Sequence, residues 1–352
     1  MVDNSDYSLA TNSISELKEG VSVVIATYNG SNVLADTLSC LIEQKFNQPF
    51  EIVIVDNAST DCTSDFVKKW WSEKGANNIT FKVLSQPIPG KSYAQDLGFS
   101  KAQFKYLLVC DDDNQLFPDY LQTAYDYMES HREVGLLGGL GIAKSDKPIP
   151  EWFNEFQEMY AVGPQHSDSG DITQTKSFVN GAGAVIGNDL WSKIASSDID
   201  RILTCRKGNS LSAGGDNEMG YLIKAAGYEI HYLEDLKFHH FISSDRFSLD
   251  YLIRLREGYV DAYETLSSYT SELNHHLTRT NSIVLKDLLI SLLRLGILLI
   301  ITPFISKSNK KHELRKTFHR GRIKSILHDF RSYPQIRYIV KRNLDLASSL
   351  TQ

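Results

Sequence analysis

The most constraining feature of the sequence is a short apolar run that ends in three consecutive aspartates. Residues 105–115 read Lys-Tyr-Leu-Leu-Val-Cys-Asp-Asp-Asp-Asn-Gln, and the apolar part shows no helical period. Such a run is typical of a strand that is buried on both faces. Adjacent carboxylates repel one another unless water or a cation neutralises them, and hard divalent cations prefer oxygen ligands. The alternatives are a cation site at a strand end and an exposed acidic turn.

Strand-like and helix-like segments alternate around this run. Strands are predicted at residues 21–27, 51–55, 79–84 and 106–110, with a helix after each of the first three. We expect Asn32 to cap the first helix. The alternation predicts βαβ units, and hence a parallel sheet in an α/β fold. Ligands of open α/β sheets bind at the carboxyl ends of the strands, so Thr27, Tyr28, Asp56 and residues 111–113 are expected to share one rim.

The second half of the chain is less regular. A strand broken by glycines is predicted at residues 178–187, and a helix that Gly227 stops follows residue 214. Two separate strands are predicted at residues 229–233 and 237–242. From residue 249 onward the chain is predominantly helical.

Composition and charge are those of a globular protein with an uneven charge distribution. The 352 residues are 42% apolar and 23% charged, enough for a full core. Residues 307–352 carry 12 Lys and Arg against 3 Asp and Glu, a balance of +9, whereas residues 1–306 have a balance of −15. An acidic body argues against nucleic-acid binding. The basic tail fits an anionic membrane surface and a solvated helical face equally well.

A nearly uncharged run precedes the basic tail. Residues 288–306 have one charge, Arg294, and contain Pro303. This run is almost long enough to span a membrane, but an arginine near the middle of a span has a high energetic cost. We therefore favour a helix packed on the domain or lying in the membrane interface. Residues 1–19 lack an apolar signal core and the four cysteines form no C-x-x-C pair, so we expect a cytoplasmic protein at the inner membrane face.

Six motifs, read in order, resemble the inverting family 2 glycosyltransferases of bacterial surface-polysaccharide assembly. They are Val-Ser-Val-Val-Ile-Ala-Thr-Tyr-Asn (21–29), Glu-Ile-Val-Ile-Val-Asp-Asn-Ala-Ser-Thr-Asp (51–61), Asp-Asp-Asp-Asn (111–114), Gly-Ala-Gly (181–183), Gly-Asp-Asn-Glu-Met (215–219) and Phe-His-His-Phe (238–241). Their order and spacing are specific, although each motif alone is weak. The resemblance implies a GT-A nucleotide-sugar transferase fold, a Rossmann-like mixed sheet, over residues 20–245. Residues 1–19 are then a polar tail, and residues 246–352 a helical, basic extension.

The resemblance also implies a donor site for a nucleotide diphosphate sugar, in particular a UDP-sugar. Tyr28 would stack on the nucleobase, and Asp56 would accept its hydrogen bonds, with a turn-forming acid as the alternative role of Asp56. The other positions implied in donor binding are Ala26, Lys91, Asp111, Asp112, Gly181 and Ala182. The implied acceptor is a saccharide, lipid-linked, in polysaccharide biosynthesis.

Metal and base positions follow from the same resemblance. Asp113 and His240 would ligate Mn²⁺ or Mg²⁺, which stabilises the charge that develops on a nucleoside diphosphate leaving group. A core or surface histidine is the alternative role of His240. Asp216 falls where the family has its general base, although a helix N-cap is the alternative. Glu218 is a candidate to assist it from the same helix end.

Two rival function classes remain. A sugar-phosphate nucleotidyltransferase also combines an α/β nucleotide fold with a metal, but it needs a glycine-rich, basic loop after the first strand, unlike residues 27–32. A non-catalytic scaffold recruited to the membrane would keep the fold without the chemistry, and the retention of Asp113, Asp216 and His240 together argues against it. Residues 85–92 are not a P-loop, because Ser85 replaces the first glycine and two prolines remove N–H donors.

Overall fold

The computed structural model describes residues 17–203, 205–206, 211–273, 281–306, 309–329 and 333–351. The predicted tail, residues 1–19, lies mostly outside the described residues, and the first strand already begins at Lys18. The first half alternates strand and helix, in the order β1 (Lys18–Thr27), α1 (Leu34–Ile42), β2 (Phe50–Asp56), α2 (Thr63–Lys74), β3 (Thr80–Ser85), α3 (Lys91–Ser100) and β4 (Phe104–Asp111). The four predicted strands and the helices between them are confirmed.

The predicted helix cap at Asn32 is wrong. Helix α1 begins at Leu34 after Val33, and no side chain caps it. The carbonyl of Gly30 instead accepts the N–H groups of both Val33 and Leu34 at 3.1 Å. A tight backbone turn therefore replaces the side-chain cap at this helix start.

The second half completes the sheet and adds a helical region. Its elements are β5 (Asn114–Leu116), α4 (Tyr120–Ser130), β6 (Val134–Lys144), β7 (Gly170–Asp171), β8 (Val185–Gly187), α5 (Asn188–Ser196), α6 (Gly215–Ala225), β9 (Glu229–Phe241), α7 (Leu249–Leu273), α8 (Asn281–Ile301), α9 (Lys310–Asp329) and α10 (Tyr333–Ser348). Among the described residues, the nine strands form one sheet in the order β3-β2-β1-β4-β8-β6-β9-β5, with β7 beside β9.

Two predicted strands differ from the structure. Only residues 185–187 of the glycine-broken segment 178–187 form a strand, because Gly183 adopts a left-handed φ of 75° and Gly181 donates its N–H to a side chain. Conversely, the two predicted strands after residue 229 are the single strand β9. The register between β6 and β9 shifts between Gly138 and Leu140. Strand β9 continues past this shift, although residues in its middle are exposed.

Strand directions bring distant residues to one edge of the sheet. Strand β1 runs parallel to both β2 and β4, so Ala26 lies between Val55 and Asp111. Strand β8 is antiparallel to β4 and β6, and β9 is parallel to β6. The carboxyl ends of β1, β2, β4 and β9 therefore face the same way, and we call this edge the rim.

Two apolar clusters cover the two faces of the sheet. Alternate residues of β1 enter different clusters: Val23 and Ile25 pack with α1, and Val24 packs towards α3, α5 and α6. The cluster that contains Val24 extends into the C-terminal region, where Val340 and Leu344 of α10 are buried with residues of α6 and α7. Helix α10 is thus part of the main core.

Helix α8 packs differently. Val284, Ser291 and Leu298 are buried on one face. The opposite face exposes large apolar side chains at Leu285, Leu289, Leu292, Leu293, Ile297 and Ile300. These positions recur every three or four residues and form one stripe. Among the described residues, no helix is long and apolar enough to cross a membrane.

Candidate active site

The ends of β1 and β2 supply the outer part of the rim. Tyr28 follows β1 and is 43% exposed, so its ring is available for stacking. Asp56 ends β2; one carboxylate oxygen accepts the N–H of Ser59 at 3.1 Å and the other accepts the hydroxyl of Ser64 at 2.6 Å. The turn-forming role of Asp56 is therefore present in the structure. Each oxygen keeps a second lone pair, so nucleobase binding stays a prediction.

A loop held by Asn57 brings Lys91 to the rim. The Asn57 amide donates to the carbonyls of Gln86 and Ile88 and accepts the N–H of Gly90. Lys91 follows as the first residue of α3, and its Nζ lies 2.5 Å from Oδ1 of Asp111.

The three aspartates after β4 have three different partners. Asp111 pairs with Lys91, and Asp112 accepts the hydroxyl of Thr27 at 2.6 Å. Asp113 lies between two basic side chains: its Oδ1 is 3.3 Å from Nε2 of His240, and its Oδ2 is 3.4 Å from Nη1 of Arg246. The pairing of β5 with β9, which sets Asn114 opposite His240, creates this approach.

Neighbouring acids at the rim have different pKa values because their surroundings differ. Burial, with the adjacent Asp113 carboxylate, raises the pKa of Asp112 to about 7. Burial also opposes ionisation of Asp113, but His240 and Arg246 outweigh it and lower the pKa of Asp113 to about 2. Burial is the largest single influence on the pKa of His240 and lowers it, but the charge and hydrogen bond of Asp113, with the charge of Asp111, together outweigh burial and raise that pKa. Asp113 thus ionises more readily than Asp112.

The chemistry of Asp113 and His240 fits a hard divalent cation. Asp113 offers a buried, ionised carboxylate, and Nδ1 of His240 is buried without a hydrogen-bond partner among the described residues. Carboxylate oxygen and imidazole nitrogen are ligands that Mn²⁺ accepts. His239, the neighbour of His240 on β9, lies on the opposite face of the strand, and its ring lies 5.1 Å from that of Phe117.

Asp216 faces the glycine motif and does not cap its helix. Helix α6 begins at Gly215 after Gly214, which has a left-handed φ of 101°, and Asp216 is the second helical residue. Its Oδ2 accepts the N–H of Gly181 at 3.0 Å. A Cβ at Gly181 would come within 2.5 Å of the Asp216 carboxylate, so a side chain at this position would displace that carboxylate. Ala182 is buried beside it.

Lys91 lies in contact with Asp111 and in the field of Asp216. Burial alone would lower the pKa of Lys91, but the carboxylates of Asp111 and Asp216 outweigh it and raise that pKa. The ammonium group therefore lies in the field of both acids. Glu218, in contrast, does not reach the rim, because its side chain is wholly buried and accepts three hydrogen bonds behind the site.

Two rim residues, Asn114 and Arg246, have no role assigned from the sequence. Asn114 lies within the motif 111–114, and its side chain accepts the N–H of Asp111 at 2.9 Å. Its polarity at a strand end is the signal that could identify it. Arg246 lies 133 residues from its partner Asp113, on a 3-10 turn (Ser244–Arg246), and no local pattern marks it.

A second group of potential metal ligands lies at the other edge of the sheet. Ligand atoms of Asp171, Glu229 and His231 lie within 4.8 Å of one another. Both ring nitrogens of His231 already have partners at 2.8 Å, the hydroxyl of Tyr127 and the carboxylate of Glu229. Asp171 accepts the N–H of Thr173 at 2.7 Å. These contacts explain the cluster without an ion.

Sequence comparison connects this geometry with known proteins. The family model "Glycosyl transferase family 2" matches residues 22–184. Chondroitin synthase from Escherichia coli is 28% identical over 122 residues, which cover 34% of this chain and 17% of that protein. Abequosyltransferase RfbV from Salmonella typhimurium is 26% identical over 150 residues, 40% of this chain and 43% of that protein. The chain thus aligns with less than half the length of these relatives.

A solved structure supports the fold. Mannosyltransferase PcManGT from Pyrobaculum calidifontis, in complex with GDP-Man and Mn²⁺, matches with a TM-score of 0.54 and 16% identity. The match covers 96% of this chain and 88% of that one. The predicted GT-A-type mixed α/β fold with a helical C-terminal region is confirmed. The similarity to glycosyl transferase family 2 thus extends over residues 22–184, the part of the chain that carries Asp111 and Asp113 at the rim.

Proposed function

We propose that this protein is a metal-dependent, inverting glycosyltransferase that moves a sugar from a nucleotide diphosphate sugar, in particular a UDP-sugar, to a saccharide acceptor. One observation carries the proposal. Five residues from four separate parts of the chain meet at one rim: Lys91, Asp111, Asp113, Asp216 and His240. Such a concentration of partly buried charge has a desolvation cost, which a fold without a charged ligand would have little reason to bear.

The donor would lie across the ends of β1, β2 and β4. Tyr28 and Asp56 flank the place of the nucleobase, and Lys91 with Asp111 borders the place of the diphosphate. An ammonium group there offsets phosphate charge as a compact point charge. Ala26 would leave room for the donor at the end of β1, between β2 and β4, because its methyl group is the smallest side chain after that of glycine.

Asp113 and His240 would hold the cation. When bound, Mn²⁺ or Mg²⁺ supplies stabilisation of the negative charge on the departing nucleoside diphosphate. This chain's own contribution is the ionised carboxylate of Asp113, held by His240 and Arg246.

Asp216 would act as general base. Inversion requires the acceptor hydroxyl to attack the anomeric carbon from the face opposite the leaving group. As the new C–O bond forms, the bond to the phosphate oxygen breaks, and the hydroxyl proton passes to the Asp216 carboxylate. The hydrogen bond from Gly181 orients one oxygen of that carboxylate.

The rival functions are less well supported. For a nucleotidyltransferase, the loop after β1 would have to hold a triphosphate. Here Asn29 ties that loop to Ser59 and Thr60, and no basic side chain lies on it. A non-catalytic scaffold would leave unexplained why Gly181, where any side chain would clash, faces Asp216.

We further propose that the acceptor is lipid-linked and that the enzyme binds anionic membrane through α8, in the plane of the surface. Six large apolar side chains form the exposed stripe of α8, and Leu293 is 67% exposed. Exposed apolar patches of this kind are typical of interaction surfaces. The +9 segment after α8 favours an anionic bilayer over a neutral partner.

A nucleotide screen tests the enzymatic proposal. Thermal unfolding would be followed with UDP-, GDP- and dTDP-sugars, each with Mn²⁺ and with chelator. We expect one nucleotide class to raise Tm in the presence of the metal, because a ligand that binds only the folded state stabilises it. The anomeric configuration of the product, read by NMR, tests inversion. A protein that no nucleotide stabilises would contradict the proposal.

A further inference from the structure

A second polar cluster lies behind the site, between α6 and the C-terminal helices. Its centre is Glu218, two residues after Asp216. One Glu218 oxygen accepts the N–H of Ile202 and the hydroxyl of Tyr269, both at 2.9 Å, and the other accepts the N–H of Leu203 at 3.1 Å. A wholly buried carboxylate is tolerated only with such partners. These bonds therefore fix the first turn of α6 relative to its surroundings.

The cluster continues to α10. Asn343 is fully buried, and its amide donates to the Tyr269 hydroxyl at 3.2 Å and to the carbonyl of Asp200 at 2.7 Å. The Asn343 side-chain oxygen also accepts the N–H of Asp200 at 3.0 Å. One asparagine on α10 thus holds both the segment that contacts Glu218 and the tyrosine that contacts Glu218.

Arg201 extends the same cluster to the donor side. Its Nη1 lies 2.9 Å from Oδ1 of Asp96 on α3, and its Nε lies 3.8 Å from Oε2 of Glu218. Helix α3 begins with Lys91, whose N–H donates to the carbonyl of Cys205 at 2.8 Å. The segment around Arg201 therefore touches the helix that carries Lys91 and the helix that carries Asp216.

We propose that Glu218, Tyr269 and Asn343 are positioning residues, which set the Asp216 carboxylate against the donor and make α10 a part of the catalytic apparatus. The proposal rests on the proposed role of Asp216 as base. A base displaced by about 1 Å can lose roughly 10²-fold in rate. No side chain caps this helix start; the Gly215 N–H donates to Cys205 Sγ and the Gly181 N–H to Asp216, both at 3.0 Å, and the bonds of Glu218 hold the turn from behind.

The test is Tyr269→Phe in the full chain, which removes one hydroxyl and keeps the ring. We expect kcat to fall by about tenfold or more, with the donor KM nearly unchanged, because the loss concerns the geometry of the base. Tyr125→Phe is the matched control. Tyr125 is also buried and donates to a carboxylate, that of Glu19, at 2.7 Å, but it lies at the opposite edge of the sheet.

Hydrogen exchange separates this proposal from the proposed function. In Tyr269→Phe the amides of Ile202 and Leu203 should exchange faster, whereas in Tyr125→Phe they should keep the wild-type rate. Faster exchange in a protein that transfers no sugar would support the network and contradict the enzyme. Glu218→Gln, which sets an amide group against N–H donors, should lower kcat further. Wild-type kcat and exchange in Tyr269→Phe, or an equal loss of kcat in the control, would overturn the proposal.

Discussion

The two halves of the site are built in different ways. The donor half lies at the ends of β1, β2 and β4, which pair in continuous parallel register over residues 21–27, 50–56 and 106–111. Its residues come directly after buried strands. The half around Asp216 comes from irregular segments: the glycine turn at 181–183, the start of α6, the end of β9 and the turn at Arg246.

The difference teaches where the precision of each half originates. Strand register alone places Tyr28, Asp56 and Asp111 within one rim. Asp216 and His240 depend on contacts between residues far apart in sequence, such as those of Glu218 with Tyr269 of α7. Donor binding and sugar transfer should therefore fail separately when single residues are changed.

The largest expected effect is in the half of the site around Asp216. Asp216→Asn keeps the size of the side chain but cannot take a proton, so transfer should fall by roughly 10²–10⁴-fold while donor affinity is retained. Asp189→Asn is a matched control, because Asp189 is also the second residue of its helix, α5, and lies at the surface. Turnover assays measure the rate of sugar transfer, and calorimetry measures the donor affinity. A variant at position 216 with most of its kcat would reduce Asp216 to a structural acid.

The next effect is in the donor half. Asp113→Ala removes the ionised carboxylate proposed as metal ligand, so the part of nucleoside diphosphate affinity that depends on Mn²⁺ should be lost, on the order of 10²-fold. Asp119→Ala, at an exposed acid nearby, should bind normally. Titration calorimetry with and without Mn²⁺ measures this directly. Unchanged metal-dependent affinity would exclude Asp113 as a ligand.

The same contrast explains how much the sequence could predict. The strands β1 to β4 were identified because a run buried on both faces is continuously apolar, and the strand-end rule then placed Asp111 and Asp113. Strand β9 was divided in two because Glu234 and Asp235 interrupt its pattern. Both are exposed on a strand that continues past them.

Long-range polar contacts could not be predicted in this way. Asn343 lies 143 residues from Asp200, and Tyr269 lies 51 residues from Glu218. Neither residue breaks or marks a periodic pattern, so each looks like an ordinary helix residue. The prediction of one helical extension after residue 245 likewise could not distinguish α10, which enters the core, from α8, whose apolar stripe faces outward.

The smallest expected effect concerns α8, which belongs to neither half of the site. Replacing Leu289, Leu293 and Ile300 with serine should weaken binding to anionic liposomes severalfold and leave donor affinity and Tm nearly unchanged, because exposed side chains contribute little to stability. Tyr338→Ser, at a 69% exposed position on α10, is the control.

Salt dependence completes the α8 test. High salt should release much of the bound wild-type protein, since each basic residue near the surface contributes about 1 kcal/mol at low salt. Point variants are preferable to removal of the C-terminal region, because α10 is needed for the core beneath α6. Binding that resists both high salt and alkaline carbonate would contradict an in-plane helix. Self-association of the wild type without liposome binding would mean that a second copy covers the stripe, and the three serine substitutions would then abolish the dimer.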